Sequence, residues 1–206
     1  MLGNIFTRLT REEQHSPADA QKHFEAGVRL ATDGFHRQAL EEFKLAVRAD
    51  AEFAEARLEL GSAYRKLGLL DKAVKSYLAA LQIQPNFVVA YANLGAAYDE
   101  QGDFVKALKA YTKAIVLAPQ DAELRNDLGL AYFHIGSYAE SIKAFRQSLV
   151  IDPDNARAHY CLGLVYLDLH DTELALAEHS KLQLRDEKEL AFQLLDTIQR
   201  QTQQAS

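Results

Sequence analysis

Two series of evenly spaced glycines constrain the fold of this chain more than any other sequence feature. Nine of the ten glycines recur at intervals of 34 residues. The first series is Gly27, Gly61, Gly95, Gly129 and Gly163, and the second is Gly34, Gly68, Gly102 and Gly136. Three of the four prolines and four of the nine tyrosines keep the same interval. One period shared by several residue types indicates tandem copies of a small structural unit.

The period divides the chain into five units and two flanks. The units are residues 20–53, 54–87, 88–121, 122–155 and 156–189, with an N-terminal segment of residues 1–19 and a C-terminal segment of residues 190–206. A unit of this length cannot bury an apolar face alone. We therefore expect neighbouring units to stack and to share their apolar surface.

Each unit has the pattern of two helices, as the third unit illustrates. Leu94 and Tyr98 lie one helical turn apart on the apolar face of the first helix. The dipeptide Gly102-Asp103 interrupts this helix, and an aspartate suits the cap of the helix that follows. A second apolar stripe ends before Pro119, because proline lacks the amide hydrogen that a continuing helix needs.

The order of Leu-Gly, Tyr, Ala, aromatic residue, Ala and Pro in each unit resembles the tetratricopeptide repeat family, whose unit also has 34 residues. The resemblance covers all five units and implies an all-α, right-handed superhelical solenoid of antiparallel helix pairs. The main departures from the pattern are Leu30 and Ala51 in the first unit, Ser141 and Ser148 in the fourth, and His170, His179, Leu182 and Glu187 in the fifth. Terminal repeats are commonly atypical because they contact solvent or a cap.

The C-terminal segment contains one further amphipathic pattern. Residues 187–201 place Leu190, Leu194, Leu195 and Ile198 on one helical face. We predict a helix that caps the fifth unit, and a helix that binds a partner is the alternative. The polar tail QTQQAS is expected to be disordered.

The N-terminal segment has a short amphipathic pattern of its own. Leu2, Ile5, Phe6 and Leu9 have the i, i+3, i+4, i+7 spacing of a helix. One interpretation is a frayed segment or a helix that packs on the first unit. The other is an anchor that binds a partner, a membrane surface or the groove of another copy.

Composition and charge exclude several classes of protein. A single cysteine, Cys161, allows no internal disulfide and no zinc site with several thiolates. No stretch approaches the roughly 18 apolar residues of a membrane helix, and the N-terminus lacks the apolar core of a signal peptide. We therefore expect a cytoplasmic protein without a transmembrane segment. A net charge of −6 argues against nucleic acid as a partner, because its binding face must be basic.

Motifs for catalysis are missing from the sequence. The glycines have neither the GxGxxG nor the GxxxxGK[ST] spacing that binds phosphate. Asp127, His134 and Cys161 are the best candidates for a metal or nucleophile site, but they match no ligand set of known spacing. We predict that the chain is not an enzyme and uses no cofactor and no metal.

The resemblance also implies where ligands bind. In the family, ligands contact the first helix of each unit, six, three and two residues before the first-series glycine and one, four and five after it. In this chain those positions hold eight carboxylates and three cations. The polar candidates are Glu25, Glu55, Glu59, Asn93, Asp99, Glu100, Glu123 and Asp127. The face becomes apolar in the last two units, where the candidates are Leu130, Phe133, Tyr160 and Leu164.

These residues lead to two hypotheses of function. Carboxylates lining a concave groove attract cationic partners. The first hypothesis is a protein-interaction module, or adaptor, whose acidic groove binds a basic, partly apolar peptide segment of another protein. The second is a self-assembling scaffold, in which the N-terminal segment or an end repeat docks into the groove of another copy and builds a homo-oligomer. The alternative for the carboxylates themselves is that they only solvate a helical surface.

Overall fold

The computed structural model describes residues 16–204, and the predicted N-terminal helix of residues 2–9 lies outside this range. The described residues form eleven α-helices and no strand, which confirms the all-α helical repeat. The first helices of the five units are α1 (Pro17–Thr32), α3 (Ala54–Lys66), α5 (Val88–Glu100), α7 (Ala122–His134) and α9 (Ala156–Asp168). The second helices are α2 (His36–Ala49), α4 (Leu70–Ile83), α6 (Phe104–Leu117), α8 (Tyr138–Ile151) and α10 (Thr172–Leu184), and α11 (Lys188–Gln204) ends the described chain.

The second-series glycines lie in the turn between the two helices of a unit. Gly34, Gly68, Gly102 and Gly136 all have positive φ, between 72° and 82°. Glycine adopts this left-handed conformation without the steric cost that a Cβ brings. In the fifth unit His170 takes the same conformation, with φ 59°. The fifth turn is thus formed in the same way by a residue that is less suited to it.

The first-series glycines allow the second helix to approach closely. A Cβ built on Gly61 would lie 2.5 Å from the ring of Tyr77, and the glycines of the first, third and fourth units face Phe43, Tyr111 and Phe145 in the same way. The fifth unit differs, because Gly163 faces the side chain of Leu194 from α11. Helix α11 thus fills the space that an aromatic side chain of the second helix fills in the other units.

The chain divides into two compact parts at Ala90–Tyr91. In the first part, residues 16–90, α1 pairs with α2, α3 pairs with α4, and α2 packs on α3. Its core includes Leu40, Phe43 and Ala63. In the second part, residues 91–204, each helix from α6 to α11 packs on the next, and α11 also packs on α9. The largest core of this part includes Phe145, Leu162 and Leu194.

Both ends of the described chain differ slightly from the predicted boundaries. Helix α1 begins at Pro17, before the predicted start of the first unit, because Ser16 and Asp19 form a capping box. Helix α11 continues to Gln204, so the tail that was expected to be disordered is helical as far as this residue. The hydroxyl of Thr202 donates to the carbonyl of Ile198 at 3.1 Å, which ties this last turn to the one before it.

Candidate functional site

Three carboxylates on the first helices of the first part form what we call the acidic face: Glu25, Glu55 and Glu59. Helices α1 and α3 contact each other, and Glu25 and Glu59 occupy the same position of consecutive repeats. Glu25 accepts a hydrogen bond of 2.9 Å from the Gln21 side chain. Within residues 16–204, neither Glu55 nor Glu59 forms a salt bridge.

Glu59 is the most desolvated member of the acidic face. Its side chain is half-buried, and this burial raises the pKa of its carboxyl group. A cation that approaches such a carboxylate stabilises it, because burial has removed part of the hydration of its charge. Phe24 of α1 packs against Phe53, the residue before α3, with ring centroids 4.9 Å apart.

In the second part, the predicted carboxylates of α7 belong to a network that we call the Arg157 cluster: Glu123, Asn126, Asp127, Asn155 and Arg157. The guanidinium of Arg157 lies 3.0 Å from a carboxylate oxygen of Glu123 and 2.8 Å from one of Asp127. Asn155 donates to the other oxygen of Glu123 at 2.6 Å. Asn126 donates to Asn155 at 2.9 Å. Both predicted carboxylates are therefore paired with one guanidinium within the chain, and the cluster keeps a net charge of −1.

The pKa values of this cluster follow from burial and charge. Burial opposes ionisation of Glu123, but hydrogen bonds from Asn155 and Arg157 outweigh it and lower the pKa of this carboxyl group. Burial dominates at Asp127 and raises its pKa, although the Arg157 charge acts in the opposite direction. Glu123 is thus the firmly ionised partner of Arg157.

Sequence reasoning missed the two asparagines of this cluster. Asn126 is fully buried, at a repeat position where the second and third units have Leu58 and Ala92. Asn155 caps α9 by accepting a hydrogen bond of 2.9 Å from the Ala158 amide. The signal was present, since a polar residue at an apolar repeat position indicates a buried polar network.

The remaining polar candidates lie on α5. Asp99 makes a hydrogen bond of 2.9 Å with the ring of His134 on α7. Asn93 is half-buried and Glu100 is exposed. Asp99 is thus held by a neighbouring first helix.

The apolar candidates of the second part lie at the edge of its core. Leu130, Phe133, Tyr160 and Leu164 are half-buried and pack against its largest core cluster. The rings of Phe133 and Tyr138 are 6.0 Å apart in a tilted arrangement, a favourable geometry for aromatic pairs. The four side chains form a partly accessible apolar surface that is packed against the core.

The three residues considered for metal or nucleophilic chemistry have other partners or lack reactivity. Asp127 pairs with Arg157, and His134 with Asp99. Burial raises the pKa of the Cys161 thiol to about 11, so it is protonated at neutral pH. Residues 16–204 contain no group of metal-binding side chains. None of their helices combines the length and the apolar character needed to cross a bilayer.

Two family models match the sequence. One, described as TPR repeat, matches residues 61–102 and 131–169. The other, described as Tetratricopeptide repeat, matches residues 88–121. No curated protein sequence matches the chain significantly.

Solved structures share the fold. A crystal structure of MamA is 28% identical, with a TM-score of 0.71 over 79% of this chain and 95% of that chain. MamA from Desulfovibrio magneticus RS-1 is 24% identical, with a TM-score of 0.75 over 82% of this chain and 96% of its own. TTC0263, a thermophilic TPR protein of Thermus thermophilus, is 24% identical, with a TM-score of 0.69 over 89% of this chain and 98% of its own.

Proposed function

We infer the function of this chain from the premise that it belongs to the tetratricopeptide repeat family. It is a protein–protein interaction module, in a family that generally consists of scaffolds without enzymatic activity. We propose more specifically that the acidic face binds a segment of a partner protein that carries lysine or arginine together with apolar side chains.

The observation that carries this proposal is the contrast between Glu59 and Asp127. Both are half-buried carboxylates on a first helix, two residues before the first-series glycine. Asp127 has the guanidinium of Arg157 at 2.8 Å, whereas Glu59 has no salt bridge within residues 16–204. A cation from a partner would supply to Glu59 what Arg157 supplies to Asp127.

The second part has a surface of a different kind. Its α7 carboxylates are already paired, so they add little attraction for a basic segment. Its half-buried Leu130, Phe133, Tyr160 and Leu164 provide an apolar surface on α7 and α9. Apolar anchors on a firm surface supply most of the affinity in many interfaces, while charges set the rate and specificity of binding.

A synthetic amphipathic peptide rich in lysine and leucine tests the proposal. Its binding to the full chain is measured by fluorescence anisotropy, at about 0.05 M and about 0.5 M salt. The variant combines Glu25→Gln and Glu59→Gln, which remove charge with little change of shape. The control is Glu41→Gln on α2, whose carboxylate pairs with Lys44.

We expect the double variant to bind the peptide roughly tenfold more weakly at low salt and to lose most of the salt dependence. The control should match the unmodified chain. An unchanged affinity of the double variant at low salt would contradict the proposal.

A further inference from the structure

A row of three exposed apolar side chains lies on the second helices of the second part. Val116, Val150 and Leu184 follow each other at intervals of 34 residues, near the C-terminal ends of α6, α8 and α10. Their exposed fractions are 68%, 82% and 85%. Because α6 to α10 pack in sequence, equivalent positions recur along one face of the stack. We call these residues the apolar row.

The row is confined to the second part. The same repeat position holds Arg48 in the first unit and Gln82 in the second. Polar residues are therefore compatible with the fold at this position, and packing does not require a large apolar one. Scattered exposed apolar residues are common, but these three share one repeat position on successive second helices.

Basic side chains flank the row on α6 and α8. Lys113 lies one turn before Val116, and Lys143 lies two turns before Val150. Both lysines are exposed, and neither forms an ion pair within residues 16–204. Helix α6 contains three lysines and no carboxylate. The α6 part of this face therefore carries only basic charges, in a chain whose net charge is −6.

We propose that the apolar row is a second docking surface, which binds an acidic amphipathic helix of a partner protein. Apolar side chains of that helix would cover the row, and its carboxylates would face Lys113 and Lys143. The proposal goes beyond the function proposed above, because none of these residues belongs to the acidic face. The chain would then bind a basic segment and an acidic segment on different surfaces, as an adaptor does.

The adjoining loops favour a narrow partner over a membrane. Asp152 is exposed, two residues after Val150. Asp154 and Asp186 are exposed as well, but they pair with Arg185 and Lys188. A flat anionic bilayer that covered the row would bring the Asp152 carboxylate close to its own negative charge. A single helix lying along the row covers the apolar side chains and leaves the loops in water.

The probe is a synthetic amphipathic helix with leucine on one face and glutamate on both flanks. Its binding to the full chain is followed by fluorescence anisotropy. The test variant combines Val116→Gln, Val150→Gln and Leu184→Gln, which copy the residue found at position 82. The matched control is Leu78→Gln, an exposed leucine of α4. Since all four positions are exposed, the melting temperatures of the variants, followed by circular dichroism, should be unchanged. An unchanged melting temperature shows that a loss of binding does not come from unfolding.

We expect the triple variant to bind the acidic helix at least roughly tenfold more weakly than the control variant. The charge-reversed pair Lys113→Glu and Lys143→Glu should weaken it similarly, and Glu59→Gln should have no effect. The inference is overturned if the acidic helix does not bind, or if it binds the triple variant normally. It is also overturned if the triple substitution instead abolishes binding to phosphatidylserine vesicles or self-association in sedimentation.

Discussion

The two parts of the molecule place the same repeat positions under different electrostatic conditions. Gln21, Glu25 and Glu55 in the first part correspond to Glu123, Asp127 and Arg157 in the second, each three repeats apart. In the second part the arginine holds both carboxylates on the neighbouring first helix. In the first part the equivalent position adds a further carboxylate. One residue type thus decides whether the carboxylates of a first-helix face have a counter-ion within the chain.

The difference shows why a charge count over the groove positions is a poor guide to the field. The count includes Glu123 and Asp127 with Glu25 and Glu59, although only the first two have an internal counter-ion among the described residues. A paired carboxylate offers a partner little, because its charge is already compensated at short range. Glu25, Glu55 and Glu59 therefore leave more of their charge available to a partner than Glu123 and Asp127 do.

The largest expected effect comes from a substitution that gives the first part the arginine found at the equivalent position of the second part. Glu55→Arg places a guanidinium at the repeat position of Arg157, where it should pair with Glu25. The acidic face then loses one carboxylate and has another neutralised. We expect the affinity for the lysine-rich peptide to fall about 30-fold, or about 2 kcal/mol, in an anisotropy titration.

The same charge change at an exposed loop position provides the control for Glu55→Arg. Glu52→Arg alters the net charge equally at an exposed position before α3, and it should weaken binding much less. Equal losses in the two variants would show that net charge, and not pairing on the acidic face, governs binding.

The next effect is on stability in the second part. Arg157→Gln leaves Glu123 and Asp127 without a counter-ion. We expect the free energy of unfolding to fall by about 1–2 kcal/mol, less than for a fully buried pair because these side chains are partly exposed. Urea denaturation at pH 7 measures the loss, with exposed Arg29→Gln as the control. An unchanged free energy of unfolding would show that the Arg157 cluster does not stabilise the fold.

The smallest effect concerns Glu59, whose folded-state pKa is raised. Between the unfolded and folded pKa values the folded state binds more protons, so this group makes stability decrease as pH rises through that window. Glu59→Gln should therefore raise the melting temperature slightly at pH 7. The gain should disappear as pH falls below the usual range of a glutamate carboxyl. If Glu59→Gln leaves the melting temperature unchanged at pH 7 as well as at the lower pH, the Glu59 carboxylate is not desolvated in the folded state.

Much of the fold could be predicted because each repeat carries the same local pattern of turn and capping residues. The positive φ of Gly68 and Gly102 is a property of one turn, and glycine at that position reveals it. Asp103 caps α6 by accepting a hydrogen bond from the Lys106 amide, as its position after the glycine predicts. Helix boundaries of this kind depend on residues that are close in sequence.

The features that escaped prediction all depend on residues from different helices. The pairing of Arg157 with Asp127 joins two first helices, and a list of groove positions does not say which side chains meet. Leu194 replaces an aromatic residue opposite Gly163 only because α11 packs on α9. Buried Asn126 was missed for the same reason, since its hydrogen bond joins α7 to Asn155 at the start of α9.

The central claim is that the acidic face of the first part, and not the Arg157 cluster, attracts a basic partner. An NMR titration of the ¹⁵N-labelled full chain with the lysine-rich peptide tests it most directly. The account predicts that the largest charge-dependent shifts fall on α1 and α3, around Glu25, Glu55 and Glu59, and fade at high salt. Salt-sensitive shifts centred on Glu123 and Asp127 instead, with none on α1 and α3, would contradict it.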